Sequence, residues 1–326
     1  MSLLIGPPIA SEPFAMAAES THNRNSTVQD STLYRELLED ISLHCHHLED
    51  KPEETPVAVL RALWFMAAGE PRSCKLALQG ALPRLLPEQV AILQGLIAQR
   101  KHAVPLAHLT GRQNFMALEL LSTPDALIPR KETEILAQAV IDKAQEMRQC
   151  KAQVTILDIC TGGGNLALAC AWHVPQSAVF ASDISPEAIS LARRNAQKLD
   201  LSHRVQFRCG DLVLPFDTPD FLGKVDLLIS NPPYLSSTKA AKMDQEISQF
   251  EPGLAFDGGP FGVSILMRML AEAPRFLHRG SWLGLEVGKG QGSAISRRLS
   301  GTSIFDHVET FLDSSGEIRA VLARRG

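Results

Sequence analysis

The sequence predicts an α/β fold built on a mostly parallel sheet, preceded by a small helical domain. Three observations carry that reading. Beyond Gln153, near-continuous apolar runs alternate with amphipathic stretches, the pattern of a sheet covered by helices on both faces. Before Pro105 the apolar spacing is helical, with no strand-like run among the helices. The later apolar runs end in glycines, acids or prolines, at the strand tips where such sheets bind ligands.

Taken in order, residues 1–30 read as a mobile extension. The start "MSLLIGPPIASEPF" lacks a basic segment and is broken by Pro7, Pro8 and Pro13. Residues 31–104 read as a helical domain. "STLYRELLEDISLHCHHLED" sets Leu33, Leu37, Ile41 and Leu48 near one face, and "PVAVLRALWFMAAG" and "LPEQVAILQGLIAQR" each carry a proline suited to a first turn. Residues 105–130 read as a β-hairpin linker, with "LAHLTG" and "NFMALELLS" as strands around Arg112 and Gln113. In residues 131–326 a helix opens near Thr133. Strands are expected at Val154–Ile159, Ala178–Ser182, Val205–Arg208, Val225–Ser230, Ser281–Val287, Val308–Leu312 and Arg319–Leu322. Helices fit Leu166–His173, Pro186–Leu199 and Gly262–Phe276.

Composition narrows the function. The chain has 326 residues, long enough for one large domain and a smaller one. A formal net charge of -4 lacks the basic footprint of a dedicated nucleic-acid binder. The 6 cysteines form no C-x-x-C pair, so a reduced, cytoplasmic enzyme without structural zinc is expected. His44, Cys45, His46 and His47 are adjacent, and neighbours on a helix diverge rather than converge on one ion. No apolar run is long enough to span a bilayer.

The strand tips hold the chemistry. The first strand runs into "LDICTGGGNLAL": Asp158 sits inside the strand end, and Gly162-Gly163-Gly164 make a tight turn into a helix. Glycines let a backbone approach a ligand closely, but the spacing is not the G-x-G-x-x-G of a dinucleotide loop. The second strand ends at Asp183, placed to accept hydrogen bonds from both hydroxyls of a ribose; a helix cap is the plainer role, which Ser185 can also fill. The third ends at Asp211, suited to an adenine edge or to capping a turn. A glycine turn followed by two acids points to S-adenosyl-L-methionine rather than a dinucleotide.

The fourth strand ends in Asn231-Pro232-Pro233-Tyr234. Prolines fix φ and leave their carbonyls free to accept, Asn231 adds a side-chain oxygen and an NH₂, and Tyr234 adds an aromatic wall. This rigid set of acceptors suits a planar –NH₂ group, a poor nucleophile whose lone pair must be aimed at an activated carbon.

With these residues in place the chain resembles the HemK-type protein-glutamine N5-methyltransferases, class I S-adenosylmethionine enzymes that modify the Gly-Gly-Gln loop of peptide chain release factors. The resemblance runs from about Leu82 to Arg319 through "PLAHLTGRQNF", "LIPRKETE", "LDICTGGGNLAL", "SDIS", "SNPPY", "FEPGLAFDGG", "LEVGKGQG" and "DSSGEIR". It implies a Rossmann-like class I methyltransferase fold. It further implies that Thr161, Gly162 and Gly164 hold the methionine part of the cofactor with Asp158 bracing the loop. Asp183 and Ile184 would meet the ribose, Asp211 and Leu212 the adenine. Asn231, Pro232 and Tyr234 would act on the substrate amide, with Asn231 also beside the cofactor. Phe115, Arg130, Thr133, Glu134 and Pro233 would wall the substrate pocket. The helical domain would contact a release factor, with no stable nucleic-acid or membrane partner. The loop reads T-G-G-G-N, where the family more often has T-G-S-G, so Asn165 adds a polar group. The alternative keeps the fold and changes the substrate, to a small-molecule amine or amide or to the cofactor's own amine.

Overall fold

The computed structural model describes residues 19–45, 51–236, 249–259 and 262–326. The chain divides into two units after His44. The first contributes helix α1 (Glu19–His44), which starts inside the expected extension and not at Ser31. Residues 1–18, His46, His47 and Leu48 lie outside the described residues.

The second unit opens with α2 (Pro56–Ala67), α3 (Cys74–Ala77) and α4 (Pro87–Lys101). Thr55 caps α2 by accepting from the Ala58 amide at 3.3 Å, and Pro56 occupies the first turn, where no donor is lost. Gln89 does the same for α4, accepting from the Leu86 amide at 2.9 Å. Helix α3 is absent from the sequence-based reading because four residues are too few to show a period. Arg100 of α4 pairs with Glu54 at 3.1 Å, both side chains nearly buried.

The linker differs from the expectation. Leu106–Thr110 is a short helix, α5, not a strand: Thr110 Oγ1 donates back to the Leu106 carbonyl at 3.0 Å, and Gly111 ends the turn with φ 65°. The hairpin lies further on, as β1 (Arg112–Phe115) and β2 (Leu118–Leu121), antiparallel about Met116 and Ala117. Those two residues have φ of 47° and 66°. Two consecutive left-handed residues match a two-residue hairpin turn, here without the glycine or asparagine that marks it in sequence.

Helix α6 (Thr133–Arg148) leads into β3 (Val154–Ile159), α7 (Asn165–His173), β4 (Ser177–Asp183), α8 (Pro186–Lys198), β5 (Val205–Cys209) and β6 (Val225–Ser230). After it come α9 (Ser264–Glu272), β7 (Leu277–Glu286), α10 (Gly292–Ser300), β8 (Phe305–Leu312) and β9 (Ile318–Arg325). Helix α10 escaped the sequence-based reading because only Ile295 and Leu299, one turn apart, are buried apolar residues in it. The 7-stranded sheet has the order β5-β4-β3-β6-β7-β9-β8. The pairings of β3 with β4 and β6, β4 with β5, and β6 with β7 are parallel; β9 runs against both neighbours. This is the mostly parallel sheet of a class I methyltransferase.

Alternation along the strands fills both faces. Ile156, Leu227 and Ile229 pack with Leu136 and Val140 of α6 and with the alanines of α7. Leu157, Leu228 and Leu283 pack on the other side with Met269 of α9 and Ile295 of α10. From β3 the chain crosses to β4 on one side, while β6 pairs with β3 on the other. That reversal opens a crevice between the tips of β3 and β6, where Ile159 pairs with Ser230.

Candidate active site

A cavity of about 350 Å³ lies at these tips, walled by residues following β3, β4, β5 and β6 and by the loops at 125–133 and 252–257. The glycine turn forms its floor. Asp158 is fully buried beneath the turn; its Oδ2 accepts from Thr161 Oγ1 at 2.6 Å and the Ala167 amide at 3.1 Å. Burial pushes the Asp158 carboxyl up to about 7, against those two hydrogen bonds. Asp158 therefore braces the loop from below and does not line the cavity.

Thr161, Gly162 and Asn165 reach the cavity; Gly164 does not. A Cβ on Gly164 would sit 3.1 Å from the Ala192 Cβ, so this glycine serves the packing of the loop on α8. Asn195 of α8, 1% exposed, secures the same loop by donating to the Gly163 carbonyl at 3.0 Å. Its Oδ1 accepts from the Leu121 amide at 2.6 Å, which ties the hairpin to the glycine turn. Cys160 and Leu212, both on the cavity wall, hold φ of 61° and 46°. Non-glycine residues in this region store strain, and such strain gathers at ligand sites.

Asp183 and Ile184 line the next section of wall. Asp183 Oδ2 accepts from the Gly162 amide at 2.8 Å and Oδ1 from the Ser185 amide at 3.0 Å. Burial raises the Asp183 carboxyl, opposed by backbone donors at Ser185, Gly162 and Ile184. Each oxygen keeps lone pairs for a further donor, as a ribose diol would supply. Ser185 does cap α8, accepting from the Ala188 amide at 3.0 Å, so the cap and the acid have separate jobs. Asp211 and Leu212 line the far end, and Asp211 pairs with Arg268 of α9 at 2.6 Å. The two oxygens of the Asp183 carboxylate for hydroxyls, a glycine backbone, and apolar walls at Ile184 and Leu212 together fit a nucleoside bearing an amino-acid tail.

On the opposite wall stand Asn231, Pro233, Thr133 and Arg130. Asn231 Nδ2 donates to Thr133 Oγ1 at 3.3 Å. Among the described residues none donates to Asn231 Oδ1, so this acceptor is free for a ligand. Arg130 pairs with Glu251, whose side chain is 0% exposed, and Glu251 also accepts from the Ile128 amide at 2.8 Å. This ion pair joins "LIPRKETE" to "FEPGLAFDGG".

The side chains of four other expected site residues stand behind the wall. Phe115 is 1% exposed in the core beside α6. Glu134 accepts from the Met116 amide at 2.9 Å, fastening α6 to the hairpin. Pro232 is buried. Tyr234 turns its hydroxyl inward to Glu286 Oε1 at 3.2 Å and is not among the wall residues. The sequence-based reading missed Glu251, Asn195, Arg268 and Glu286 as single residues; only Glu251 and Glu286 lay within quoted motifs.

Residues 150–261 match a family model described as a methyltransferase domain. The release factor glutamine methyltransferase of Moorella thermoacetica is 35% identical over 257 residues, covering 78% of this chain and 88% of that protein. That of Geobacter sulfurreducens is 34% identical over 242 residues, covering 74% and 81%, and that of Clostridium acetobutylicum 33% over 231 residues, covering 71% and 78%. Among solved structures, the human methyltransferase 10 domain containing protein superposes with a TM-score of 0.47 at 14% identity, over 64% of this chain and 89% of that one. With this similarity extending over most of the sequence, the chain belongs to the release factor glutamine methyltransferase family, whose methyl donor is S-adenosyl-L-methionine.

Proposed function

We propose that this protein methylates the N5 nitrogen of the glutamine in the Gly-Gly-Gln motif of a peptide chain release factor, in the cytoplasm. The observation that carries the reading is the pairing of Asn231 Oδ1, to which no described residue donates, with the half-buried ribose-type acid Asp183 on opposite walls of one cavity.

Gly162 and Thr161 would hold the tail of S-adenosyl-L-methionine, Asp183 the ribose, and Leu212 with Asp211 the adenine end. Bound there, the cofactor supplies a methyl group on a positively charged sulfur. A glutamine amide is a weak nucleophile because its nitrogen lone pair is delocalised into the carbonyl. Asn231 Oδ1 and the Pro232 carbonyl would each accept one of its N–H bonds, which fixes the plane of the amide and turns the remaining lobe toward the methyl. As positive charge develops on nitrogen, both hydrogen bonds strengthen, so the help is greatest at the transition state. Pro232 and Pro233 keep these acceptors from moving, and the proton leaves the charged product to water. Arg130 and Thr133 would shape the pocket around the glutamine side chain, and the helices of residues 51–104 would contact the body of the release factor.

The test is incubation with a release factor and labelled cofactor, followed by mass spectrometry of the Gly-Gly-Gln peptide. A single methyl on that glutamine is expected; turnover that needs no protein substrate would redirect the assignment to a small acceptor.

A further inference from the structure

Asn165 lines the cavity beside Thr161 and Gly162, and local structure gives no reason for an amide at this place. It is the first residue of α7, one position beyond the cap, Gly164, whose φ of 86° turns the chain into the helix. An asparagine at the cap itself would accept from an amide of the first turn. Those amides are already served: Ala167 donates to Asp158 Oδ2 at 3.1 Å, and Leu168 to the Gly164 carbonyl at 2.9 Å. The Asn165 side chain is half-buried, and among the described residues it makes no hydrogen bond. Asparagine is also a poorer helix former than alanine.

We infer that Asn165 is a further cofactor-binding residue, whose side-chain NH₂ donates to the carboxylate of the S-adenosyl-L-methionine tail. Its place in the turn carries the assignment. The Gly162 amide donates to Asp183 at 2.8 Å, so the ribose-type acid adjoins the start of the glycine turn. The Gly164 amide closes that turn on the Thr161 carbonyl at 2.9 Å, and Asn165 stands at its end. A tail that leaves a ribose at Asp183 and crosses Gly162 would therefore meet Asn165 next. The inference rests on this placement of the cofactor, which belongs to the proposed function.

The tail carries both an ammonium and a carboxylate, and the surroundings of Asn165 favour the carboxylate. A helix start is electropositive, because its first amides have no carbonyl one turn earlier to donate to. Among the described residues the backbone amides of Asn165 and Leu166 find no acceptor, and both residues line the cavity. An ammonium here would meet partial charge of its own sign. A carboxylate instead gains the Asn165 side chain as a donor beside the positive end of α7. A hydrogen bond to an ionised acceptor is the stronger kind, so one residue can shift affinity measurably.

Calorimetry at neutral pH compares wild-type protein, Asn165→Ala, Asn165→Asp and Asp183→Ala with two ligands. One is S-adenosylhomocysteine; the other is its decarboxylated form, which keeps the amine and lacks only the carboxylate. Asn165→Ala should weaken S-adenosylhomocysteine by about 10-fold, the scale of one hydrogen bond to a charged group, and leave the decarboxylated ligand within about twofold of wild type. Asn165→Asp sets a like charge against the carboxylate. It should weaken S-adenosylhomocysteine further and hold the decarboxylated ligand no less tightly than wild type does, which also shows that the variant is folded. Asp183→Ala should weaken both ligands alike, since both keep the ribose. Equal loss of both ligands in Asn165→Ala, or loss of neither, overturns the inference, as does an Asn165→Asp protein that binds S-adenosylhomocysteine as wild type does. If Asp183→Ala spares both ligands, the cofactor lies elsewhere and its proposed placement falls together with the inference. A wild-type protein that binds S-adenosylhomocysteine but methylates no release factor overturns the proposed function and leaves the Asn165 assignment standing.

Discussion

Replacing Arg130 by methionine should destabilise the protein more than any change of comparable size at the cavity wall. Glu251 is completely buried and Arg130 nearly so, with side-chain exposures of 0% and 10%. Removing one partner of such a pair strands the other charge in a low-dielectric site, a loss of about 3–5 kcal/mol. Among the described residues Glu251 would keep only the Ile128 amide, so Arg130→Met belongs near the middle of that range, about 4 kcal/mol. Glu251→Gln is milder. It still accepts from Ile128 and loses only the charge assistance, about 2 kcal/mol, and cavity water can reach the guanidinium. Exchanging both residues for apolar side chains should recover much of the loss, since no charge is then left buried. Urea denaturation of the four proteins, without cofactor, measures this directly. The reasoning is refuted if Arg130→Met costs under about 0.5 kcal/mol, the range of an exposed pair, or if the double variant is no better than Arg130→Met.

Three further outcomes follow from the geometry. Asn231→Ala should lower kcat by about 100- to 1,000-fold while cofactor affinity, read by calorimetry, changes little; equal losses in both would assign Asn231 to the cofactor alone. Asp183→Ala should do the reverse, weakening S-adenosylhomocysteine by about 10-fold or more, because the proposed ribose contacts and the hydrogen bonds from the Gly162 and Ser185 amides go together. Asp226, at the opposite end of the sheet, is held below its ordinary value: burial raises it, but Lys151, the Thr155 amide and His278 outweigh burial. Its folded pKa lies below the unfolded one, so its stabilisation is present above the unfolded pKa and lost as pH falls through the folded pKa. Asp226→Asn should therefore lose stability at neutral pH and show a flatter acid limb in thermal melts, whereas an unchanged limb would place the acid sensitivity elsewhere.

The strands at the heart of the site were readable from the sequence because each is an apolar run with a sharp end. Val154–Ile159 and Val225–Ser230 occur at the expected residues. The grouping of the candidate site was readable for a related reason: a parallel sheet brings its strand tips together, so Gly162, Asp183 and Asn231 line one cavity. The hairpin was misplaced because its turn uses Met116 and Ala117 at positive φ, residues that carry no turn signal. Side-chain pairing was also hidden. Arg130 and Glu251 are 121 positions apart, and no local spacing announces that they meet. Tyr234 shows the same limit. Its place after the prolines was plain, but only packing on Gly288 and Glu286 turns the ring behind the wall.

The central claim is that the Asn231 oxygen aims a glutamine amide at the donor methyl. Its most direct measurement is mass spectrometry of a release factor after incubation with labelled S-adenosyl-L-methionine and either wild-type protein or Asn231→Ala. One added methyl on the Gly-Gly-Gln glutamine with wild type, and almost none with the variant at equal cofactor occupancy, is the predicted result. Methylation by the variant at the wild-type rate would contradict it.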